Sequence, residues 1–477
     1  MEQKKQVKSI PPKADDLSEW YTQVCLRAQL VDYTPVRGCI ALRPYGFALW
    51  ELIQAEFDHR FKATGHANAY FPLLIPESLL VKEAEHVEGF APEVAWVTQG
   101  GGEELTERLA IRPTSEAIIG TMYSRWIQSH RDLPVLINQW CNVMRWEKAT
   151  RPFLRTLEFL WQEGHTVHAS ESEAAEEVQR MLEIYREVAE DVLALPVIKG
   201  RKSENEKFAG AAATYAIEAL MPDGKALQAG TSHEFGQNFS KAYDIKFTDV
   251  DEKVKYAYTT SWGVSWRIIG GLIMAHGDDR GLVLPPAVAP HQAVIVPIVK
   301  TGDEMVMPAA RRLRDQLAPH VRVLLDDREQ SPGWKFSEWE MRGVPLRIEI
   351  GPRDVASNSA TVVRRDVQSK VPVPLSEIAE RVPAMLEEIK TSMYDRAMAW
   401  RDEHTVEAAD HDAFVQALKR QDGFVLAPWC ERPECELDIK AETSAVTRVI
   451  AGPAQPGQTC AYCGKPARVK AYFARSY

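Results

Sequence analysis

The sequence lacks long apolar runs: none approaches the roughly 20 consecutive residues that a membrane-spanning helix requires. It also lacks the apolar stretch of a signal peptide, because the opening MEQKKQVKSIPPKADD is charged. A cytoplasmic protein with no membrane contact is the expectation. Internal repeats and low-complexity tracts are missing as well. Cysteine is sparse, with seven in 477 residues, too few and too unevenly placed for a disulfide framework. Cys25, Cys39 and Cys141 stand alone among apolar neighbours and read as buried thiols, whereas the other four gather between Cys430 and Cys463. Net positive charge is absent too. The formal charge is −10, so the whole molecule is no obvious nucleic-acid binder. One stretch differs: Pro453 to Tyr477 carries Lys465, Arg468, Lys470 and Arg475 and no acid, a local RNA surface or simply a solvated tail.

What is present is an ordinary globular balance, 45% hydrophobic and 26% charged, which supports a sizeable core. A length of 477 residues suggests about three domains. Leu49, Leu52, Ile53 and Phe57 recur on one face of a helix over 45–64, which Gly65 stops before a strand over 68–75. Short strand-like runs between 107 and 165 flank a helix at 115–130. Ser170 and Glu173 form a capping box for a long helix whose apolar stripe runs from Val178 to Leu193. Strands with short turns and helices set apart predict an α+β domain on an antiparallel sheet over 1–287. Prolines at 285, 286 and 290 mark a boundary. Beyond it strands and helices alternate (AVIVPIV, helix 305–317, VRVLLDD, helix 333–342, PLRIEI, TVVRR, helix 375–395), predicting an α/β domain with a largely parallel sheet over 288–395. Residues 396–477 form a third, small α/β unit carrying the cysteine cluster.

The chemistry starts at Val143-Met144-Arg145-Trp146-Glu147. Side chains two apart on a strand share a face, so Arg145 can clamp a carboxylate or phosphate while Glu147 takes an adenine amino group or a cation. Alone, such a pair reads as a surface ion pair. Here a polar loop from Lys148 to Pro152 follows, and Phe153-Leu154-Arg155-Thr156 resumes towards Glu158-Phe159. This strand–loop–strand resembles motif 2 of the class II aminoacyl-tRNA synthetases. The resemblance implies that Arg145 binds the α-phosphate and the substrate carboxylate, that Glu147, Arg155 and Thr156 hold ATP, and that Phe153 stacks on adenine. The helix at 45–64 with its strand resembles motif 1, which implies a homodimer. Ser261-Trp262-Gly263-Val264-Ser265-Trp266-Arg267 and the small-residue helix after it resemble motif 3, with Ser265 at the nucleotide and Arg267 on the γ-phosphate.

Arg112-Pro113-Thr114-Ser115-Glu116, Lys207-Phe208-Ala209-Gly210-Ala211 and Gln228-Ala229-Gly230-Thr231-Ser232-His233, with Gly277-Asp278-Asp279 and Gly351-Pro352-Arg353-Asp354, make the chain similar over essentially its whole length to the archaeal/eukaryotic-type prolyl-tRNA synthetases. That resemblance implies formation of prolyl-adenylate from L-proline and ATP, then transfer to the 3′-terminal ribose of tRNA(Pro). The cationic secondary amine needs acceptors, for which Thr114 and Glu116 stand; Arg145 would take the carboxylate, and Trp161, Phe208 and His233 would wall the ring. Gln228 and Thr231 match ATP-contacting positions. His233 by itself reads better as a hydrogen-bonded core histidine and only its motif lifts it to the site, while Glu163 and the tryptophans read also as core. Catalysis would be charge stabilisation by Arg145, Arg267 and Mg²⁺, without a covalent intermediate. About 100 residues separate Glu163 from Gly263, so the large editing insertion of bacterial-type relatives is not expected.

The unit at 288–395 resembles the anticodon-binding domain of this class, with Glu340, Arg347, Arg353 and Asp354 as candidates for reading unstacked bases, or else as an ordinary solvated face. Cys430-x4-Cys435 and Cys460-x2-Cys463 have the spacing of a closed tetrahedral Cys₄ site, so structural Zn²⁺ is expected, against free thiols or two disulfides. A threonyl enzyme is the nearest rival, but the catalytic Cys/His zinc set of that family is not evident. A noncatalytic paralogue is the other rival, and the intact Arg145, Glu147 and Arg267 argue against it.

Overall fold

The computed structural model describes residues 10–86, 93–421 and 423–477. Residues 1–9, most of the charged opening segment, lie outside them.

The first long helix is Pro44–Ala63, with proline in its first turn, where no hydrogen-bonded N–H is required, and with Leu49, Ile53, Phe57 and Phe61 buried. The chain leaves it through Gly65 at φ +89°, a conformation that favours glycine. The strand expected over 68–75 divides. Ala67–Asn68 pairs parallel with Val135–Met144, while Leu74–Pro76 pairs antiparallel with Glu103–Ile111 in a separate three-stranded sheet. Pro72 has no N–H for a ladder between them. The helix expected over 115–130 is Glu116–Trp126, ending where Ile127 turns extended. The long helix is Glu171–Glu187, capped reciprocally by Ser170 and Glu173 as its sequence requires. Val188–Val192 continues it as a wider π turn, with Val188 and Val192 still buried.

These elements cover an 11-stranded sheet. Its functional centre runs Ala213–Leu220, Ala226–Gly236, Tyr258–Ser265, Glu158–His168, Val135–Met144, and every pairing in that series is antiparallel. Trp262 is 1% exposed and packs against Phe61 and His66. It lies so close to the next strand that a Cβ on Gly164 would come within 2.1 Å of its ring. Glycine at 164 is therefore a condition for seating the Trp262 ring across these two strands.

The second unit has strand order Val323–Leu325, Ala293–Pro297, Leu346–Ile350, Ser359–Arg364, Lys370–Pro374. The pairings of Ala293–Pro297 are parallel, with helices Val306–Leu317 and Pro332–Met341 as crossovers. The pairings of Ser359–Arg364 are antiparallel, so the sheet is mixed rather than largely parallel. The reason is local: a short turn joins Ser359–Arg364 to Lys370–Pro374, and a hairpin can only be antiparallel.

The helix expected to stop at 395 is Ile378–Glu403, unbroken through that point. Beyond it, Phe424–Trp429, Val469–Ala474 and Val446–Pro453 join the central sheet itself, through a single register pair, Ile450 opposite Arg201. The C-terminal strands thus lie edge to edge with the strand that leads into the cleft.

Candidate functional site

A cavity of about 210 Å³ opens over the middle of the sheet. Ten residues singled out from the sequence line it: Thr114, Glu116, Arg145, Trp161, Phe208, Gln228, Thr231, His233, Ser265 and Arg267. A groove continuing from it is lined by Glu147, Phe153, Arg155 and Thr156, with Arg145, Ser265 and Arg267 shared.

Arg145 sits just past the end of Val135–Met144. Its backbone N–H donates to Leu157 at 2.8 Å and its Nε to Pro113 at 3.1 Å, fixing the head group. The guanidinium lies 5.5 Å from the Phe159 ring and 5.4 Å from the Trp161 ring. Its terminal nitrogens have no acceptor among the described residues. Burial lowers its pKa, and the charges of Glu116, Glu163 and Glu147 oppose that shift. Arg267 opens the helix Arg267–His276 and donates from Nε to Leu154 at 3.0 Å. Burial, with Arg145 and Arg155 nearby, pushes its pKa down to about 10, so it stays charged at neutral pH. Glu147 faces this cationic groove with one loose partner, Arg155 at 4.0 Å. Arginines crowded together under desolvation create demand for an anion.

The opposite end of the cavity is acidic. Thr114 Oγ1 donates to Glu116, which starts the helix Glu116–Trp126. Behind them Glu163 accepts from the Ser115 N–H at 3.1 Å, from Ser115 Oγ, from Gln139 Nε2 at 2.9 Å and from His165 at 3.2 Å. Burial would raise the Glu163 pKa, but these hydrogen bonds and the His165 charge bring it below the ordinary carboxylate value. Burial also opposes protonation of His165, and its bond to Glu163 with the charges of Glu116 and Glu163 outweighs that and raises its pKa. Glu116, Glu163 and His165 place donor atoms within 4.8 Å of one another. Thr114, Ser115 and Gln139 engage their carboxylates, so the trio forms one buried charge network.

The third wall is aromatic. The Phe208 ring centre is 4.8 Å from that of His233. Thr214 Oγ1 accepts from the Phe208 N–H at 2.9 Å and lies 3.0 Å from His233 Nδ1. Burial, then His165 and Arg145, push the His233 pKa down to about 3, so the ring is neutral at working pH.

Phe153 differs from its sequence reading. It is 1% exposed, at φ +57°, with its ring T-shaped against Trp266, so the ring is packed into the core rather than presented to a base. The loop turns at this position and needs an apolar anchor there. Phe159, half-buried on both the cavity and the groove, presents an available ring instead. Its signal in the sequence was position: it shares a face with Trp161 at a spacing of two. Glu163, His165 and Glu206 also line the cavity. Glu163 reads as core in a one-dimensional pattern because burial and cavity lining look alike there, and nothing local in the sequence marks His165 or Glu206.

In the second unit, Arg347 is 7% exposed and bound to Glu349 and Glu340, each at 2.9 Å. Asp354 caps its own helix, accepting from the Gly351 N–H at 2.9 Å. Glu340 is half-buried and Arg353 exposed. Arg347 and Asp354 therefore hold the surface that Arg353 and Glu340 present.

The four C-terminal cysteines converge, all Sγ atoms lying within 4.8 Å of one another. Cys435 and Cys460 are 3.8 Å apart and Cys430 and Cys463 3.6 Å, and none of the four is in a disulfide. Tetrahedral thiolates at about 2.3 Å from one ion would be separated by about 3.8 Å. The donor set and its spacing fit zinc.

Residues 96–276 match the tRNA synthetase class II core domain (G, H, P, S and T), residues 292–385 an anticodon binding domain, and residues 411–477 the C-terminal domain of prolyl-tRNA synthetase. The chain is 58% identical over 487 residues to a proline–tRNA ligase of Symbiobacterium thermophilum, covering 100% of both. It is 57% identical over 477 residues to one of Alkaliphilus oremlandii, covering 100% of this chain and 99% of that one. The crystal structure of prolyl-tRNA synthetase from Cryptosporidium parvum complexed with halofuginone and AMPPNP superposes with a TM-score of 0.95 at 43% identity, over 99% of this chain and 100% of that one.

Proposed function

The chain belongs to the class II proline–tRNA ligases, and we propose how its residues divide that family's reaction among them. It activates L-proline with ATP and passes the prolyl group to the 3′-terminal ribose of tRNA(Pro). The observation that carries the assignment of roles is one cleft with an acidic end, an aromatic wall and an arginine groove.

Proline carries two N–H donors on a cationic amine, which Glu116 and Thr114 accept. Its ring lies in the slot walled by Phe208, His233 and Trp161. Neutral His233 is essential to this fit, since a second cation there would repel the amine. The free nitrogens of Arg145 hold the carboxylate and the α-phosphate together, aligning a carboxylate oxygen for in-line attack. The new O–P bond forms as the bond to the β-phosphate oxygen breaks. Pyrophosphate leaves towards Arg267, and the ring of Phe159 supports the adenine. Gln228, Thr231, Ser265, Arg155 and Thr156 complete the nucleotide contacts. The terminal ribose hydroxyl then attacks the prolyl carbonyl and AMP departs.

Magnesium would arrive with the triphosphate and neutralise part of its charge, and Glu147, with only its loose contact to Arg155, is the carboxylate placed to meet it. Zinc would be held by Cys430, Cys435, Cys460 and Cys463 as a closed structural site that contributes no step. Glu340 and Arg353, steadied by Arg347 and Asp354, would meet the anticodon. The exposed strand Ala67–Asn68 at the end of the sheet, with Tyr70 71% exposed beside it, supports a homodimer through that edge. No helix among the described residues is long and apolar enough to cross a membrane.

Amino-acid-dependent ATP–pyrophosphate exchange tests the assignment. Exchange is strongest with proline; a stronger response to threonine or any other amino acid overturns it, and no exchange with any amino acid favours a binding protein.

A further inference from the structure

The segment between strands Val197–Arg201 and Ala213–Leu220 brings Glu206 and Phe208 to the cavity wall. Its first half is gripped from behind by one short stretch of the C-terminal unit. Arg201 pairs with Glu431. Ser203 Oγ donates to Glu436 Oε1 at 2.8 Å, and Asn205 Nδ2 to the Pro433 carbonyl at 3.0 Å. Between these contacts, Lys202 Nζ lies 2.9 Å from Glu218, which Arg448 also meets at 2.7 Å. Ser203 is 1% exposed, Lys202 and Glu436 2% and Arg448 3%, so water has no access to replace a lost partner. Glu436 is itself fixed, since the Thr447 N–H donates to the same Oε1 at 3.3 Å. Residues 431–436 start directly after Cys430 and contain Cys435, so the cysteine cluster anchors the stretch that grips the arm.

We propose that residues 431–436 are a positioning element for proline. Through Ser203 and Asn205 they hold the arm that keeps Phe208 against His233, and so set how tightly the ring slot closes. They touch neither substrate. The proposal rests on Phe208 being a wall of the proline slot.

The test uses the full chain with Asn205→Ala, Glu436→Ala, Glu436→Gln and Phe208→Ala, each followed by exchange kinetics and calorimetric titration with proline. Asn205 is exposed, so its truncation leaves folding intact. Glu436→Ala raises the proline KM and Kd by about tenfold and Asn205→Ala, whose contact is open to water, by about threefold, with the ATP KM and kcat unchanged in both. Glu436→Gln keeps an oxygen for Ser203 Oγ and the Thr447 N–H and restores the parent proline KM. Unchanged proline binding in Asn205→Ala and Glu436→Ala, with Phe208→Ala still impaired, overturns the positioning role alone. Unchanged binding in Phe208→Ala overturns the wall assignment and this proposal with it. Proline and ATP constants rising together mean general damage and overturn the positioning role.

Discussion

Arg267 Nε donates to the main-chain oxygen of Leu154 at 3.0 Å, across 113 residues of sequence. That contact ties the start of one helix to the loop that also carries Arg155, and it spends one guanidinium nitrogen on the protein. Arg145 makes the same use of its Nε, on Pro113. Each arginine is left with its outer edge for substrate, and the two face different parts of it.

Their substitutions should therefore separate. Removing a preorganised charge that acts on the transition state costs about 10²–10³ in kcat. Arg267→Ala lowers the exchange kcat by about that factor and leaves the proline KM within about twofold. Arg145→Ala loses as much kcat and raises the proline KM as well, because in the proposed division of roles it also holds the carboxylate. Steady-state exchange with proline and ATP varied in turn measures both; indistinguishable profiles would contradict the division.

Acid should weaken the fold through His276. Its ring is buried, with Nε2 3.0 Å from the Leu193 carbonyl, and burial pushes its pKa down to about 4. Below pH 6.5 the unfolded chain binds a proton that the folded ring refuses. Stability is complete above that value and falls as pH drops towards 4, by about 3 kcal/mol for this group. His233, held down to about 3, adds loss of the same sign. His276→Gln keeps a donor for Leu193 and removes the titration. Urea midpoints at pH 7 and pH 4.5 should differ less in the variant than in the parent; an equal difference would remove His276 from the account.

The C-terminal cysteines offer a check that does not involve catalysis. Sulfur separations of 3.6 and 3.8 Å suit one tetrahedral ion, so the purified protein should carry one zinc per chain by elemental analysis. Cys460→Ser should lose the metal and lower the melting temperature by several degrees, because a small unit gives up its tether. Wild-type protein purified without chelator and found free of zinc would sink the assignment.

What the sequence could show followed from locality. Ser170 and Glu173 cap a helix because they lie within one turn, and the residue types around Arg145 and Arg267 announce anion binding wherever they occur. What it could not show depended on which strands become neighbours. Nothing local says that Val446–Pro453 joins the sheet beside Val197–Arg201, or that a hairpin at 365–369 makes the second sheet mixed. Glu163 and His165 were opaque for a related reason. Their roles depend on Ser115 and Gln139, which are brought to them by other elements.

Phe153 and Phe159 give the sharpest contrast between pattern and packing. Both lie in the strand–loop–strand proposed to hold the nucleotide, and the pattern favours the first as the adenine support. The Phe153 ring, however, is 1% exposed and T-shaped against Trp266, whereas Phe159 has its ring on the cavity and carries Arg145 over it. A buried anchor and a stacking platform fail differently. Phe159→Ala gives up a base–aromatic contact worth about 1–3 kcal/mol, so the ATP KM rises about tenfold or more while the melting temperature holds. Phe153→Ala opens a void behind Trp266 and costs about 3–5 kcal/mol of stability, with a smaller effect on the ATP KM of the protein that remains folded. Paired ATP titrations and melting curves decide the matter. A rise in ATP KM larger for Phe153→Ala than for Phe159→Ala would return the adenine contact to Phe153, and would require that loop to rearrange when nucleotide binds.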